Sequence, residues 1–411
     1  MGSGGVVRGV NQGLLAGRPD LRPGLPRQGS LRITGARDAA GEPVELVIAD
    51  GVIVDGVVAE GPGPAGRDEP ETLDATGLTV LPGLIDAQVN GAVGHDLTAD
   101  PTRLWDVAAG LARYGVTAFV PTIITSAPPA REQALAVLAA GPPSGWCGAV
   151  PLGLHFEGPM IAEPRKGAHP PQWLAAPSLD LVECWSREAG VLMVTIAPEL
   201  PGALRVIEAL VARGVVVSVG HTEATTAQVT AAVVAGARVV THLGNAMPPL
   251  LAREAGPVGH ALGGDALTAG VIADGHHLDP FMIRTAWRAL QPSGRFLTVT
   301  DTTAALGMPD GAAVLGEQDV VVADGTVRLG DGTLAGSAAS LPQCLRVIRA
   351  ATDASLAQVV ATCTAVPAAL LGWPDRGHLA PGARGDVTLV DDDLEVVATV
   401  VAGRLVHLRE Q

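Results

Sequence analysis

The sequence predicts an α/β fold: a (β/α)8 barrel of the TIM type, with a small β-sandwich domain formed from both chain ends. Eight apolar, strand-like runs alternate with amphipathic segments in the middle of the chain, and β-branched runs lie near both ends. The chain has 411 residues, more than the roughly 250 of a typical barrel. Apolar residues make up 47% of the chain but aromatic residues only 3%, so Val, Leu, Ile and Ala must fill the core.

The sequence predicts β-strands near both chain ends. Leu46–Asp50 and Gly51–Val58 meet at an Asp-Gly turn, which is a hairpin signal. Similar runs recur near the C-terminus, at Asp386–Val390, Glu395–Val401 and Arg404–Leu408. The segment before the first strand is rich in Gly, Arg and Pro and lacks the apolar run of a signal peptide. We therefore expect a flexible extension over residues 1–30, a small β domain from residues 31–80 and 374–411, and a barrel over residues 81–373.

The barrel prediction depends on strands that are apolar throughout, because parallel strands in a barrel are buried on both faces. The strand-like runs are Thr79–Asp86, Val116–Thr122, Ala149–Glu157, Val191–Pro198, Val215–His221, Arg238–His242, Leu267–Asp274 and Phe296–Asp301. Amphipathic segments between them include Thr102–Tyr114, Pro201–Arg213 and Thr225–Gly236. Polar residues end several of the runs: Asp86, Glu157, His221, His242, Asp274 and Asp301. The carboxyl ends of barrel strands meet at one mouth, so we expect these side chains to share a pocket.

Three of these residues suit a metal centre. Two imidazoles, His221 and His242, and one carboxylate, Glu157, leave a divalent metal an open position for water, as in hydrolytic zinc sites. The alternative is that they are hydrogen-bonded polar groups at a barrel rim. Asp301 can act as a general base, or it can cap a helix, a position that aspartate favours.

Several blocks resemble the amidohydrolase superfamily and, more specifically, its N-acetylglucosamine-6-phosphate deacetylases. Leu81–Asp86 resembles the entry strand of the superfamily. The deacetylase-like blocks follow in order: Gln88–Gly91, Gly153–Pro159, Lys166–His169, Ala197–Glu199, Gly220–Thr222, Thr241–Met247, Ala273–His277, Thr300–Asp301 and Gly332–Ser337. With the flanking β segments, the resemblance spans residues 45–405.

The resemblance implies a site with one metal ion. Gln88 and Asn90 stand where many amidohydrolases have a His-x-His pair for a second metal, and amides are poor zinc ligands. The implied ligands of a single divalent metal, most simply Zn²⁺, are Glu157, His221 and His242. His169 would stabilise the oxyanion at the acetyl carbonyl, and Asp301 would be the general base and then the acid. Iron, manganese and cobalt also suit such a ligand set.

The resemblance also implies how a sugar phosphate is bound. The matching positions are Asn245, the Ala246 backbone, Arg253 and His277, and in related enzymes part of this grip comes from a neighbouring subunit, so a homodimer is expected. On its own, Arg253 reads as a solvated loop residue. The sequence departs from the family at Gly244 and Ala255, and it adds His276. His95 lies near Asn90 but in a loop.

The implied activity is hydrolysis of the acetamide of N-acetyl-D-glucosamine 6-phosphate. Alternatives are a deacetylase of N-acetylgalactosamine 6-phosphate or of an unphosphorylated acylated amine, and a catalytically dead barrel that serves as a scaffold. The net charge of −15 argues against nucleic-acid binding. No apolar stretch is long enough for a membrane span, and the four cysteines are scattered, so we expect reduced thiols and a cytoplasmic location.

Overall fold

A computed structural model describes residues 30–54 and 71–410. The predicted N-terminal extension lies outside the described residues, apart from Ser30, as does the part of the predicted strand Gly51–Val58 after Val54.

The strands and helices are numbered in chain order. The strands are β1 (Leu31–Arg37), β2 (Pro43–Ala49), β3 (Val52–Val54), β4 (Glu71–Asp74), β5 (Thr79–Pro82), β6 (Leu84–Val89), β7 (Gly91–Ala92), β8 (His95–Asp96), β9 (Val116–Ile124), β10 (Val150–Pro151), β11 (Leu154–Glu157), β12 (Val191–Ile196), β13 (Val216–Val219), β14 (Val239–Val240), β15 (Thr268–Ile272), β16 (Phe296–Val299), β17 (Gly311–Leu315), β18 (Gln318–Ala323), β19 (Thr326–Arg328), β20 (Leu334–Ser337), β21 (Val387–Val390), β22 (Val396–Val401) and β23 (Arg404–Leu408). The helices are α1 (Leu104–Leu111), α2 (Pro128–Ala140), α3 (Ala203–Ala212), α4 (Thr226–Val234), α5 (Gly256–Gly263), α6 (Pro280–Leu290), α7 (Leu341–Ala351), α8 (Leu356–Ala361) and α9 (Ala365–Leu371).

Eight parallel strands form the predicted barrel, in the order β6, β9, β11, β12, β13, β14, β15 and β16. The two end strands meet through backbone hydrogen bonds: Asp301 N–H donates to Gln88 O at 3.1 Å, and Asn90 N–H donates to Thr302 O at 2.8 Å. All nine residues of β9 are buried, as expected for a strand covered on both faces. The eight predicted runs all contain barrel strands, so the barrel prediction is confirmed.

One strand boundary was predicted wrongly. The run Thr79–Asp86 contains two strands: β5 pairs with β21 in the small sheet, whereas β6 enters the barrel and continues to Val89. Gly83 joins them at a close approach, where a Cβ atom would lie 2.2 Å from Thr117 Oγ1. Asp86 therefore lies inside a barrel strand, fully buried beneath the mouth, rather than at a strand end.

Strands from both chain ends form the second sheet, in the order β23, β22, β21, β5, β1, β2 and β3, with β4 beside β1. Gly385 N–H, just before β21, donates to Gly51 O in the turn before β3, so the edge strand β3 lies close to the start of β21. The sheet therefore curls around its own apolar core. This confirms the small β domain built from both ends. Its predicted boundaries, residues 31–80 and 374–411, stay a proposal.

The helices form where apolar spacing and capping residues favour them. Helix α3 buries Ala203, Val206, Ile207 and Leu210, which recur at helical spacing and face the barrel. Thr225 caps α4 in a reciprocal capping box with Gln228.

A four-stranded antiparallel sheet, β17 to β20, follows the last barrel strand and was not predicted. We call it the inserted sheet. Its buried side packs Leu315, Val320, Val322 and Val327 against Ile124, at the end of barrel strand β9.

Within residues 30–54 and 71–410, no helix is long and apolar enough to cross a membrane. All four cysteines are free thiols.

Candidate active site and metal centre

The chemically capable residues lie at the carboxyl ends of the barrel strands. Glu157 ends β11, and His221, His242 and Asp301 each come two residues after a strand. The backbone of these last three is left-handed, with φ of 48°, 30° and 51° respectively. This conformation costs on the order of 1–3 kcal/mol for a residue other than glycine and is common at functional sites.

Three ligand-type atoms converge at the mouth. Glu157 Oε1 lies 3.3 Å from His221 Nε2 and 3.1 Å from His242 Nε2, and the two Nε2 atoms are 3.0 Å apart. Two ligand atoms of a tetrahedral zinc ion, each about 2.0–2.1 Å from the metal, are separated by about 3.3 Å. All three side chains are buried. The spacing therefore fits a single small divalent ion.

The tautomers of both histidines also fit a metal. His221 Nδ1 lies 2.8 Å from Arg165 O, and His242 Nδ1 lies 3.2 Å from Asn245 O. A carbonyl oxygen only accepts, so each Nδ1 carries the proton and each Nε2 presents a lone pair. Two lone pairs and a carboxylate oxygen about 3 Å apart repel one another unless a cation lies between them.

The electrostatics favour positive charge at this point. Burial lowers the pKa of His242, but the Glu157 carboxylate outweighs it and leaves that pKa above its ordinary value. Burial raises the pKa of Glu157, yet its close contacts with the His221 and His242 rings hold it well below the usual range. A proton and a metal ion would compete for the same position, so we expect metal affinity to increase with pH.

Asp301 lies beside this centre and is held by two amides. Its Oδ1 accepts from Gln88 Nε2 at 2.9 Å and from Asn90 Nδ2 at 2.8 Å. Gln88 Nε2 also donates to Glu157 Oε1 at 3.2 Å, which connects Asp301 to the Glu157 carboxylate. Burial raises the pKa of Asp301 to about 6, and the negative charge of Glu157 adds to this effect. Its second oxygen, Oδ2, makes no hydrogen bond among those of the described residues.

His169 belongs to the same cluster but differs in its tautomer. Ligand-type atoms of Glu157, His169 and His221 lie within 4.8 Å of one another, so distance alone would include it among the ligands. However, Thr125 N–H donates to His169 Nδ1 at 3.3 Å, so Nδ1 is an acceptor and Nε2 carries the proton. Burial lowers the pKa of His169 well below its ordinary value, which keeps the ring neutral. His169 thus presents a donor to the pocket.

The pocket over these residues has a volume of about 460 Å³, within the range of small-molecule sites. Its lining includes Glu157, His169, His221, His242, Asp301, Asn90, Asn245, Ala246 and His277. A buried Asp274 carboxylate accepts from His277 Nδ1 at 2.7 Å and orients that ring. The structure therefore brings the predicted metal ligands, base and most of the predicted substrate contacts into one cavity.

The comparisons with known proteins agree with this geometry. The family model described as Amidohydrolase family matches residues 79–406. The chain is 39% identical over 355 residues to N-acetylglucosamine-6-phosphate deacetylase of Homo sapiens, covering 82% of this chain and 85% of the relative. It is 35% identical over 339 residues to the protein of that name from Bacillus subtilis (strain 168), covering 81% and 85%.

Solved structures of the same name superpose closely. The Pasteurella multocida deacetylase has a TM-score of 0.84 at 27% identity, covering 92% of this chain and 100% of that structure. A mutant Mycobacterium smegmatis deacetylase in complex with N-acetyl-D-glucosamine-6-phosphate has a TM-score of 0.78 at 35% identity, covering 93% and 100%. This chain belongs to the amidohydrolase family, among the N-acetylglucosamine-6-phosphate deacetylases. The resemblance seen in the sequence is confirmed.

One predicted substrate contact of this amidohydrolase, Arg253, lies outside the pocket of its own chain, as do His276 and His95, which were not among the predicted contacts. Arg253 is exposed and does not line it. His276 is exposed, and its Nε2 lies by the Gly325 turn of the inserted sheet. His95 is half-buried and stands apart from the metal-type cluster.

The two departures from the family are Gly244, directly before the pocket residue Asn245, and Ala255, two residues after Arg253. Gly244 has a φ of +85°, a conformation that suits glycine, and a Cβ atom there would lie 3.3 Å from Leu278 Cδ2. Ala255 is the residue before α5 and caps it with no side-chain hydrogen bond. Glu254 anchors the loop after Arg253, because its carboxylate accepts from Thr226 N–H at 2.7 Å.

Several residues that line the pocket or support its side chains were not predicted from the sequence. Thr125 follows β9, a strand predicted to end at Thr122, so the rule about strand ends would have found it with a later boundary. Arg165 was missed because it contributes a backbone oxygen, which no side-chain pattern reveals. Lys166 was read only as part of a motif, yet it lines the cavity, as does Leu315 of the inserted sheet.

Proposed function

We propose that this amidohydrolase hydrolyses the acetamide of N-acetyl-D-glucosamine 6-phosphate, releasing D-glucosamine 6-phosphate and acetate. The observation that carries the proposal is the convergence of Glu157 Oε1 and two imidazole lone pairs beside the buried base Asp301. The name shared by the relatives supplies the substrate. The complete site argues against a catalytically dead scaffold.

The residues that would hold the cofactor are Glu157, His221 and His242. One divalent metal ion per subunit, which we propose is Zn²⁺, supplies a Lewis acid that polarises the amide carbonyl and makes water more acidic. The Gln88 side-chain amide donates hydrogen bonds to Asp301 and Glu157, and the Asn90 amide donates to Asp301. We therefore propose that these two residues orient the base and that they bind no second metal ion.

Asp301 transfers the proton, and His169 donates a hydrogen bond. Asp301 accepts a proton from the attacking water as the C–O bond forms. The Nε2–H of His169 donates a hydrogen bond to the carbonyl oxygen as negative charge develops there and keeps its proton. When the C–N bond breaks, Asp301 returns the proton to the leaving nitrogen, so the products are acetic acid, which ionises to acetate, and a free amine. Because Oδ1 of Asp301 is occupied by two amide donors, Oδ2 is the oxygen that carries the proton.

We assign the sugar phosphate to the side of the pocket formed by Asn245, the Ala246 backbone and His277. Arg253 is placed away from the pocket of its own chain, so we propose that it reaches the phosphate of a neighbouring subunit in a homodimer. A cytoplasmic location completes the proposal and fits the four free cysteines.

The test is acetate release from four sugars: N-acetylglucosamine, N-acetylgalactosamine and the 6-phosphate of each. We expect release from N-acetylglucosamine 6-phosphate well above the other three. Equal rates with the unphosphorylated sugar would overturn the phosphate assignment to His277 and Arg253. A faster rate with N-acetylgalactosamine 6-phosphate would establish the alternative substrate, and no release from any sugar would overturn the proposed function.

A further inference from the structure

Thr125 makes a set of contacts that the reaction described above does not use. It is the residue directly after β9 and is buried in contact with His169, which lines the pocket. Its Oγ1 lies 2.8 Å from His169 Nδ1 and 3.3 Å from Glu157 O, and its N–H donates to the same Nδ1 at 3.3 Å. Because the Nδ1 that accepts from this N–H carries no proton, the hydroxyl donates its single proton to Nδ1, its nearer neighbour. One residue thus contacts both the oxyanion donor and the strand end that carries a metal ligand.

These contacts give His169 the opposite tautomer from its neighbours. His221 and His242 face backbone carbonyls with Nδ1, which leaves a lone pair on Nε2. His169 faces an obligatory donor with Nδ1, which leaves a proton on Nε2. The His169 ring centroid is only 4.4 Å from that of His221, and His169 Nε2 is 4.0 Å from Glu157 Oε2. With the other tautomer, His169 Nε2 would have a lone pair and would be a fourth protein ligand within reach of the same metal ion.

We propose that Thr125 is a positioning residue that holds His169 as its Nε2–H tautomer and thereby keeps His169 out of the ligand set. Catalytic zinc sites have three protein ligands and an open position, whereas four protein ligands make a closed, structural site. Thr125 therefore keeps one coordination position available and supplies the oxyanion donor in the same step. The functional part of this inference rests on the proposed deacetylation; the tautomer does not.

The experiment combines nitrogen-15 NMR of the histidine rings with kinetics, on the zinc-loaded protein. His169 signals are assigned by comparison with His169→Gln. We expect pyridine-type Nδ1 and pyrrole-type Nε2 shifts for His169, whereas His221 and His242 should show pyrrole-type Nδ1 shifts. Thr125→Val, which removes the hydroxyl, should lower kcat about tenfold with KM changed less than about twofold, as expected for one hydrogen bond felt in the transition state. Thr125→Ser should restore kcat.

The matched control is Ser126→Ala. Ser126 is the next residue and is also buried, and its hydroxyl has no hydrogen-bond partner among the described residues. We expect it to leave kcat and the His169 shifts unchanged. A pyrrole-type Nδ1 in wild-type His169 would overturn the proposal, as would a Thr125→Val enzyme with wild-type kcat. If the wild type shows the expected tautomer but releases no acetate from any sugar, the proposed function fails and the tautomer assignment stands.

Discussion

At the scale of single residues, the site is organised by which atom of each side chain is already occupied. Backbone carbonyls occupy Nδ1 of His221 and His242, a backbone N–H occupies Nδ1 of His169, and two amides occupy Oδ1 of Asp301. The remaining atoms, three Nε2 and one carboxylate oxygen, take their chemical roles from these contacts. We therefore propose that the partner residues decide which histidines bind a metal and which one donates a hydrogen bond.

The acid limb of the pH profile tests the contact between Asn90 and Asp301. Asp301 must be ionised to accept a proton, so kcat/KM falls as the pH drops below its pKa, which burial raises. The Asn90 N–H stabilises the ionised form and lowers that pKa. In Asn90→Ala the pKa should rise and the acid limb should move to higher pH.

The wild type and Asn90→Ala must be measured at the same zinc loading, because a bound cation lowers the pKa of Asp301 in each protein. Asp301→Asn should lack the limb and have little activity. An acid limb at the same pH, or a lower one, in Asn90→Ala would contradict the role assigned to this hydrogen bond.

The metal-type residues were predictable from sequence because a simple rule places them. Glu157, His221, His242 and Asp301 are polar residues at the ends of apolar runs, and parallel strands bring such ends together. Thr125 obeys the same rule but was missed because the end of β9 was predicted two residues early. Which ring nitrogen carries a proton was not predictable, since this depends on backbone atoms that the fold supplies.

At the scale of secondary-structure elements, the inserted sheet was the main feature hidden from sequence analysis. A half-buried strand is recognised by alternation of apolar and polar residues. In β18 the exposed position between buried Val320 and Val322 is itself apolar, Val321, so the alternation disappears. The barrel strands were easier to recognise because burial on both faces requires continuous apolar runs.

The inserted sheet contributes to an apolar wall of the pocket next to His169, the proposed oxyanion donor. Leu315 lines the pocket together with Ile124 and Ala168, and all three belong to one buried cluster. Ile124 precedes Thr125 in the chain and Ala168 precedes His169, so the wall lies at the acyl end of the pocket. We expect it to contact the methyl group of the acetyl substrate.

Leu315→Ala should therefore widen the range of acyl groups accepted. The ratio of kcat/KM for the N-propionyl to the N-acetyl sugar phosphate should rise about tenfold, the usual effect of one methylene in an apolar pocket. Val327→Ala is the matched control, because Val327 is buried in the same cluster but does not line the pocket. An unchanged ratio in Leu315→Ala, with acetyl hydrolysis intact, would show that the wall lies elsewhere.

At the scale of the whole molecule, the placement of Arg253 raises the question of a shared active site. Arg253 is exposed in a loop, as expected from its sequence position alone, which favoured a solvated residue. The family resemblance instead predicted that Arg253 binds the sugar phosphate. A single chain does not bring Arg253 to its own cavity. If Arg253 acts across a dimer, each site combines Asp301 of one subunit with the arginine of the other.

Mixing two inactive variants tests this arrangement. Arg253→Ala and Asp301→Asn should each have little activity alone, whereas after co-expression the mixed dimer contains one site with both wild-type residues. With random pairing, about a quarter of the sites should regain activity in a symmetric dimer. Activity equal to the average of the separate variants would contradict a contribution across the interface.

The proposed deacetylation requires one metal ion, held by Glu157, His221 and His242. The most direct test is a titration of chelated protein with zinc, in which bound metal and acetate release from N-acetylglucosamine 6-phosphate are measured on the same samples. We predict no release without zinc and a linear increase that reaches its plateau at about one zinc per subunit, as a single three-ligand site requires. Full activity in the chelated protein, or a plateau of acetate release only at two zinc ions per subunit, would contradict the requirement for one metal ion.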